Sequence, residues 1–303
     1  MQVQPSRLGW AGNTDWTMRE RRGEFYIFQQ HDDQVSPTYV ADLVGAAIRH
    51  PDAAICYAEM QYSGLLSLVQ RGLPLSGPPL ERVLTCLKFM DHAAFRGLIR
   101  SSALASTSGL LLSDFDPFDS YGTEMRFLAE LALLGEFRFV PGPIYYKRMH
   151  GANLHLKREK WSAPQKQLAW ACLGAWMAEV VVPAGHSPDE RRRLFDTVLV
   201  RFLVPSNPWG WLRDPARRLG RSRSRVLHPV RVLLDRLKRS DPLVRTVSER
   251  WMLYEANDPA KRGELLRIIF ERLKGAGRLD PSASFQSDWE TLERQSGKRF
   301  AVR

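Results

Sequence analysis

The first half of the chain alternates short apolar runs with amphipathic stretches, which is the pattern of an α/β fold. Residues 25–28 form an aromatic and β-branched run between polar neighbours, and this predicts a buried strand. Ser36-Pro37 is typical of a helix start, with serine as N-cap and proline at the first helical position. Apolar residues then recur at helical spacing up to His50-Pro51. Because a second apolar run follows at residues 53–57, we predict a strand–helix–strand crossover and a parallel sheet.

Further elements are predicted downstream of this crossover. Residues 60–80 are rich in Gly, Pro, Ser and Leu without a clear period, and we expect a long loop there. Residues 123–134 carry apolar side chains on one side and predict a helix that Gly135 ends. The other predicted elements are strands at residues 95–99, 137–140 and 144–147, the last two separated by a Pro141-Gly142-Pro143 turn.

The second half of the chain has a helical pattern. Residues 165–182 predict a buried helix, and Pro188-Asp189-Glu190 starts another. Residues 205–210, which contain two prolines and a glycine, predict a linker. Beyond the linker, residues 226–237 place apolar side chains on one helical face and basic ones on the other.

Charge separates the two halves. The 303 residues have a formal net charge of +11. Residues 1–150 hold 14 Lys/Arg and 16 Asp/Glu, a net of −2, whereas residues 151–303 hold 30 and 17, a net of +13. Within the second half, residues 213–250 hold 12 Lys/Arg and 4 Asp/Glu, a net of +8. The basic excess is therefore a property of the second half alone.

Three interpretations of this basic region remain open. A basic amphipathic helix can make peripheral contact with an anionic membrane. The same arginines can contact nucleic-acid phosphates, although interleaved aromatic residues and a recognisable nucleic-acid module are missing, which disfavours this partner. The third interpretation is a solvated helix face.

Cysteine usage and the apolar runs bear on the compartment. Cys56, Cys86 and Cys172 are widely spaced and odd in number, which fits neither a disulfide framework nor a metal cluster. The first seven residues lack the apolar core of a secretion signal, and the longest apolar run, residues 168–182, is short for a membrane span. We expect a cytoplasmic protein, located at the inner face of the plasma membrane if the basic helix binds there.

Asp32 and Asp33 are the first candidates for chemistry. They follow the predicted strand at residues 25–28, and ligands of parallel α/β sheets lie beyond the carboxyl ends of strands. Two carboxylates suit a hard cation such as Mg²⁺ or Mn²⁺. The alternative is that this pair merely caps the following helix.

The order of motifs in the first half resembles the family 2 glycosyltransferases, which are inverting enzymes with a GT-A fold. The resemblance covers roughly residues 7–155. The matching positions are Gly12-Asn13, Gly23-Glu24-Phe25, Asp32-Asp33, Pro37, Glu124 with Gly135, Val140-Pro141 and Arg148-Met149-His150.

The resemblance implies an α/β fold: a partial GT-A, Rossmann-like domain with a mainly parallel sheet at residues 1–155. A helical, basic C-terminal region would follow at residues 156–303. It also implies a reaction, in which a nucleotide-diphosphate sugar donates its sugar to a hydroxyl of a glycan or lipid-linked acceptor, with inversion. The setting would be bacterial surface-polysaccharide or glycoconjugate synthesis.

The resemblance also assigns roles to residues. Asp32 and His150 would be ligands of Mg²⁺ or Mn²⁺, which offsets the charge of the leaving diphosphate. Glu124 would be the catalytic base, although a glutamate in the first turn of a helix also interacts favourably with the helix dipole without any chemistry. The substrate-binding positions would be Asn13, Gln30, Asp33 and Arg148.

The chain departs from the family pattern in three ways. Gln30 stands where the acidic motif usually begins, and it brings no charge. Glu124 stands where aspartate is commoner, which moves the carboxylate by about one bond length. The acidic motif also begins near residue 32, whereas nucleobase-binding strands precede it in the family. We therefore expect a truncated sequence of an enzyme; the alternative is a non-catalytic remnant that acts as a binding module through its basic tail.

Overall fold

The computed structural model describes two units of the chain, and each is considered by itself. The described residues are 8–65, 67–89, 92–110, 120–151, 161, 169–170, 173–174, 176–178, 180–198 and 201–202. The units are Met1–Trp161 and Ser162–Arg303. The predicted linker at residues 205–210 and the basic segment at 213–250 lie outside the described residues.

The first unit contains helices and strands in alternation. The helices are α1 (Gly9–Arg19), α2 (Tyr39–Arg49), α3 (Pro79–Phe89), α4 (Ser101–Ala105) and α5 (Thr123–Leu134), with a 3₁₀ helix at His92–Arg96. The strands are β1 (Phe25–Ile27), β2 (Gln34–Val35), β3 (Ala53–Gly64), β4 (Leu68–Gln70), β5 (Leu98–Arg100) and β6 (Glu136–Met149).

The six described strands form one mixed sheet. Its order is β1-β5-β3-β6-β2, and β4 pairs with β3 beside this path. β3 and β6 run parallel, β1 and β3 both pair antiparallel with β5, and β2 pairs antiparallel with β6. β1 and β3 therefore point in the same direction on either side of β5, as a crossover through α2 requires.

The α/β class is confirmed, and the parallel sheet is found in part. Among the described strands, direct parallel pairing joins only β3 to β6. The difference comes from β5, which lies between β1 and β3. The predicted strand at residues 95–99 is correct only at its end, because Phe95 and Arg96 belong to the 3₁₀ helix.

β6 is a single strand where two were predicted. Tyr57 of β3 pairs with Phe139 and Glu59 pairs with Ile144, so two steps along β3 correspond to five along β6. The extra residues form a bulge that contains Gly142, whose φ of 110° is in the region that favours glycine. The sequence correctly indicates a break at Pro141-Gly142-Pro143, but the chain returns to the same partner strand.

The predicted loop at residues 60–80 is wrong at both ends and at residues 68–70. β3 continues to Gly64, β4 follows, and α3 begins at Pro79. The sequence pattern does not indicate the second half of β3, because Glu59 and Gln61 interrupt the apolar run. These two side chains are hydrogen-bonded to each other, since Gln61 Nε2 donates to Glu59 Oε1 at 2.9 Å.

Two predicted helix boundaries have a different physical basis. α2 begins at Tyr39 with Thr38 at the N-cap position, and the Ser36 hydroxyl instead accepts a hydrogen bond from the Ile144 N–H at 3.0 Å. α5 has the predicted bounds, but Gly135 is extended, with a φ of −169°. A Cβ at Gly135 would lie 2.8 Å from the Asp52 carbonyl oxygen, so glycine permits a close approach to the start of β3.

The end of α5 is held by a buried arginine of α3. Arg82 is 8% exposed, and its guanidinium donates to the carbonyls of Ala132 at 2.8 Å and Leu133 at 3.0 Å. It also donates to the carbonyl of Gly77. Arg82 thereby satisfies two carbonyls that the end of the helix leaves without intrahelical partners.

The second unit is mainly helical where it is described. The described residues from 169 to 181 are helical, with Ala169, Leu173 and Met177 buried at four-residue spacing. A further helix, α6, covers Pro188–Val198 and begins at the predicted residue. No helix in the described part of the chain combines the length and apolarity needed to cross a membrane.

Candidate functional site

The strand directions bring three segments to one edge of the sheet. Asp32 and Asp33 follow β1, and His150 follows β6, which runs the same way. α5 is joined to β6 through Gly135 alone, so the helix runs back across the sheet. Its first turn, with Glu124, therefore lies toward the carboxyl ends of β1 and β6.

Asp32 and His150 are in direct contact at this edge. Asp32 Oδ2 accepts a hydrogen bond from His150 Nε2 at 2.8 Å, and their side chains are 20% and 37% exposed. Burial alone would raise the pKa of Asp32, but the hydrogen bond from His150, a backbone hydrogen bond and the nearby His31 together lower that pKa. Asp32 is therefore an ionised, partly accessible carboxylate at neutral pH.

Asp33 is buried and fixes the loop after β1 against β6. It is 6% exposed, and its Oδ2 accepts a hydrogen bond from the Tyr145 hydroxyl at 2.7 Å. Its Oδ1 accepts one from the Arg148 backbone N–H at 3.0 Å. Both carboxylate oxygens of Asp33 thus serve to position the adjacent Asp32 and the end of β6.

Replacing Tyr145 with phenylalanine should lower the free energy of unfolding by about 1–2 kcal/mol, because Asp33 Oδ2 would lose its partner in a buried position. Chemical denaturation followed by circular dichroism measures the change. Tyr146→Phe is the matched control, since its side chain is 36% exposed and should be nearly neutral. Equal stability of the two variants would contradict the positioning role of Tyr145.

Gln30 is held by an arginine of the 3₁₀ helix. Arg96 Nη2 donates to Gln30 Oε1 at 2.9 Å. The guanidinium lies over the rings of Phe28 at 5.1 Å and Tyr145 at 5.8 Å, which fixes its orientation by cation–π attraction. Gln30 thus lies in the site, in contact with a cation.

Glu124 has one carboxylate oxygen available. Its Oε2 is buried and has no hydrogen-bond partner in the described part of the chain. Its Oε1 lies 3.7 Å from His92 Nδ1. A buried acceptor without a donor is costly, and this suits a group that accepts a proton from a substrate hydroxyl.

Lys147 lies among the charged groups of the site. Burial lowers the pKa of Lys147 to about 8, and the positive charge of Arg96 contributes to the decrease. The negative charges of Asp33, Glu124 and Asp32 act in the opposite direction. All four groups are close enough to Lys147 to influence it, which supports a single site that contains them.

The structure brings most of the predicted site residues together. Asp32, Asp33 and His150 are linked by contacts with the end of β6, Gln30 is reached through Arg96, and Glu124 is electrostatically coupled to Lys147. The Arg148 side chain is exposed, and its backbone is what contacts Asp33. Asn13 is exposed on α1, and no described contact joins it to this cluster.

Sequence reasoning missed Arg96, Tyr145 and Lys147. Arg96 lies inside a segment predicted as a strand, and Tyr145 and Lys147 lie in a predicted strand without an assigned role. The alternation of side chains along β6 could have indicated Tyr145 and Lys147, because these residues are two positions apart and share a face of the strand.

Two adjacent side chains at this edge of the sheet could coordinate a divalent cation. Asp32 Oδ2 and His150 Nε2 are the two adjacent donors. In the described part of the chain, no group of three or more His, Cys, Asp or Glu side chains is arranged to hold a metal ion. Two protein ligands suit Mg²⁺ or Mn²⁺ when phosphate oxygens and water complete the coordination.

Comparisons with known proteins give two similarities. The chain is 24% identical to the O-antigen biosynthesis protein RfbC of Myxococcus xanthus over an alignment of 211 positions that covers 61% of this chain. It spans 16% of the length of that relative. S. aureus TarS 1–349, solved in complex with UDP-GlcNAc, is similar with a TM-score of 0.39 and 12% identity, covering 67% of this chain and 63% of that one. No protein-family model matches the chain.

Proposed function

We propose that this chain carries the catalytic site of an inverting glycosyltransferase of the family 2 type. The reaction moves a sugar from a nucleotide-diphosphate sugar to a hydroxyl acceptor. The observation that carries the proposal is the contact between Asp32 and His150 at 2.8 Å, on the same edge of the sheet as Glu124. The similarity to a protein of O-antigen biosynthesis supports a setting in polysaccharide assembly.

In this proposal Asp32 and His150 hold Mg²⁺ or Mn²⁺. The cation supplies positive charge that stabilises the departing diphosphate. The hydrogen bond between Asp32 Oδ2 and His150 Nε2 shows that these two donor atoms lie side by side, where they would hold the cation. Asp33 keeps Asp32 in position through its own bonds to Tyr145 and the Arg148 backbone.

Glu124 is the base of the proposed reaction. The acceptor oxygen forms a bond to the anomeric carbon while the bond from that carbon to the diphosphate oxygen breaks. The electron pair of the broken bond leaves with the diphosphate, and the hydroxyl proton passes to Glu124 Oε2. Attack from the face opposite the leaving group inverts the anomeric centre.

The acceptor and the membrane contact remain proposals from the sequence. A glycan or lipid-linked acceptor fits an enzyme of surface-polysaccharide synthesis. The basic residues that would contact an anionic membrane surface belong to the segment outside the described residues.

Asp32→Asn should abolish Mn²⁺-dependent binding of nucleotide-diphosphate sugars, because it removes the anionic ligand of the cation. The measurement is calorimetric titration of the full chain with a panel of such sugars, in Mn²⁺ and in EDTA. Asp52→Asn is the matched control, since Asp52 is exposed in the turn before β3, at the opposite edge of the sheet. Wild-type binding that is unaffected by Asp32→Asn, or no Mn²⁺-dependent binding at all, would contradict the proposal and favour a non-catalytic binding module.

A further inference from the structure

Two cationic side chains of the site, Arg96 and Lys147, are not paired with an anion among the described residues. Arg96 is 7% exposed, and one of its guanidinium nitrogens, Nη1, is buried without a hydrogen-bond partner in the described part of the chain. Its neighbour Nη2 binds Gln30 Oε1, a neutral acceptor. An arginine buried to this degree is ordinarily paired with an anion, because removing its charge from water is costly.

Lys147 lies near Arg96 and is likewise not paired with an anion. Its ammonium lies 5.9 Å from the centre of the Tyr62 ring, and it forms no hydrogen bond or ion pair with the described residues. With a pKa of about 8, Lys147 is largely protonated at neutral pH. The site therefore holds two positive charges close together.

The carboxylates of the site form no ion pair with Arg96 or Lys147. Both oxygens of Asp33 are hydrogen-bonded, and Asp32 is paired with His150. The Glu124 carboxylate faces His92 through Oε1. These groups moderate the field around Lys147, but none of them forms an ion pair with Lys147 or Arg96.

We propose that Arg96 and Lys147 form an anion-binding subsite that takes the diphosphate group of the donor. This inference rests on the proposed function for the identity of the ligand. The two cations bind phosphate oxygens directly, so part of the diphosphate charge is offset by the protein itself. Arginine offers planar paired donors and lysine a compact charge, and both are suited to phosphate.

Gln30 is what keeps Arg96 available in this arrangement. A glutamate at this position, which matches glutamine in length, would place a carboxylate oxygen where Gln30 Oε1 lies and pair with Arg96 Nη2. The neutral amide orients the guanidinium and leaves its charge uncompensated. The acidic motif thus lacks its first carboxylate, and Arg96 beside that position has no anionic partner in the part of the chain that the structure describes. In this arrangement a protein cation replaces a metal ligand.

The test is the binding of inorganic pyrophosphate to the full chain in EDTA, measured by calorimetry. We expect binding without a divalent cation, and Lys147→Met should weaken it by about tenfold or more through the loss of a charged donor. Lys88→Met is the matched control, since Lys88 is exposed on α3 and should leave the affinity unchanged. No metal-free binding, or equal affinity in Lys147→Met, would overturn the subsite.

Gln30→Glu is a second variant that adds charge without removing a cation and keeps the length of the side chain. It should also weaken metal-free pyrophosphate binding, because the new carboxylate neutralises Arg96. Unchanged affinity in this variant would contradict the role of Gln30 and Arg96. Circular dichroism of both variants checks that the fold is kept.

The outcomes separate this subsite from the proposed function. Pyrophosphate binding that depends on Lys147, in a chain that never binds or transfers a nucleotide sugar, would support the subsite and contradict the transferase. Sugar transfer by a chain whose pyrophosphate binding is unaffected by Lys147→Met would support the transferase and contradict the subsite.

Discussion

Glu124→Gln should lower kcat for sugar transfer by about 10²- to 10⁴-fold, while the affinity for the donor stays nearly constant. Glutamine keeps the size and polarity of the side chain but cannot accept the acceptor's proton. Glu124 Oε2 is buried without a partner in the described part of the chain, so the group is available for that proton. Steady-state kinetics with a nucleotide sugar and a glycan acceptor would measure the effect.

Glu81→Gln is the matched control for this change. Glu81 also lies in the first turn of a helix, α3, but is exposed, so its loss tests whether an acidic residue at a helix start matters by itself. We expect kcat within about twofold of wild type for this variant. If Glu124→Gln retained wild-type kcat, the glutamate would be a helix-dipole residue and the base would lie elsewhere.

Arg82→Met should lower the free energy of unfolding by about 3 kcal/mol, because the carbonyls of Gly77, Ala132 and Leu133 lose a buried donor. Two of these carbonyls end α5, whose first turn carries Glu124, so the loss also loosens the helix that positions the base. Chemical denaturation gives the change in stability.

Lys88→Met on the same helix is the control for the loss of a positive charge. Lys88 is exposed, and its replacement should change stability by less than about 0.5 kcal/mol. Arg82→Lys should recover part of the loss, since an ammonium can reach some of the three carbonyls but lacks the planar fork. A destabilisation below about 1 kcal/mol in Arg82→Met would show that water replaces the guanidinium.

Local pattern predicted the elements whose apolar periodicity is strong. The bounds of α5 follow from its spacing, and the order β1, α2, β3 follows from two short apolar runs on either side of a stretch with helical spacing. The pattern failed where polar residues continue an element, as in β3 beyond Tyr57. It also did not predict that β5 lies between β1 and β3, because strand order depends on contacts between residues distant in sequence.

The candidate site could be predicted in part for a similar reason. Asp32, Glu124 and His150 stand at the ends of elements, where sequence position and the resemblance both indicate function. Arg96 and Lys147 lie inside elements, and only the packing of several segments makes their charges unusual. The structural role of Asp33 also depends on Tyr145, which lies 112 residues further along the chain.

The bulge in β6 determines which face of the sheet the following side chains of the strand point to. Paired residues of parallel strands point to the same face, so Phe139 shares a face with Tyr57, whereas Tyr145 shares the other face with Met60. Strict alternation from Phe139 would put Tyr145 on the same face as Phe139. The odd number of extra residues around Gly142 reverses this and turns Tyr145 and Lys147 toward the site. An insertion or deletion of one residue there would move both side chains to the opposite face, whereas a change of two would preserve the site.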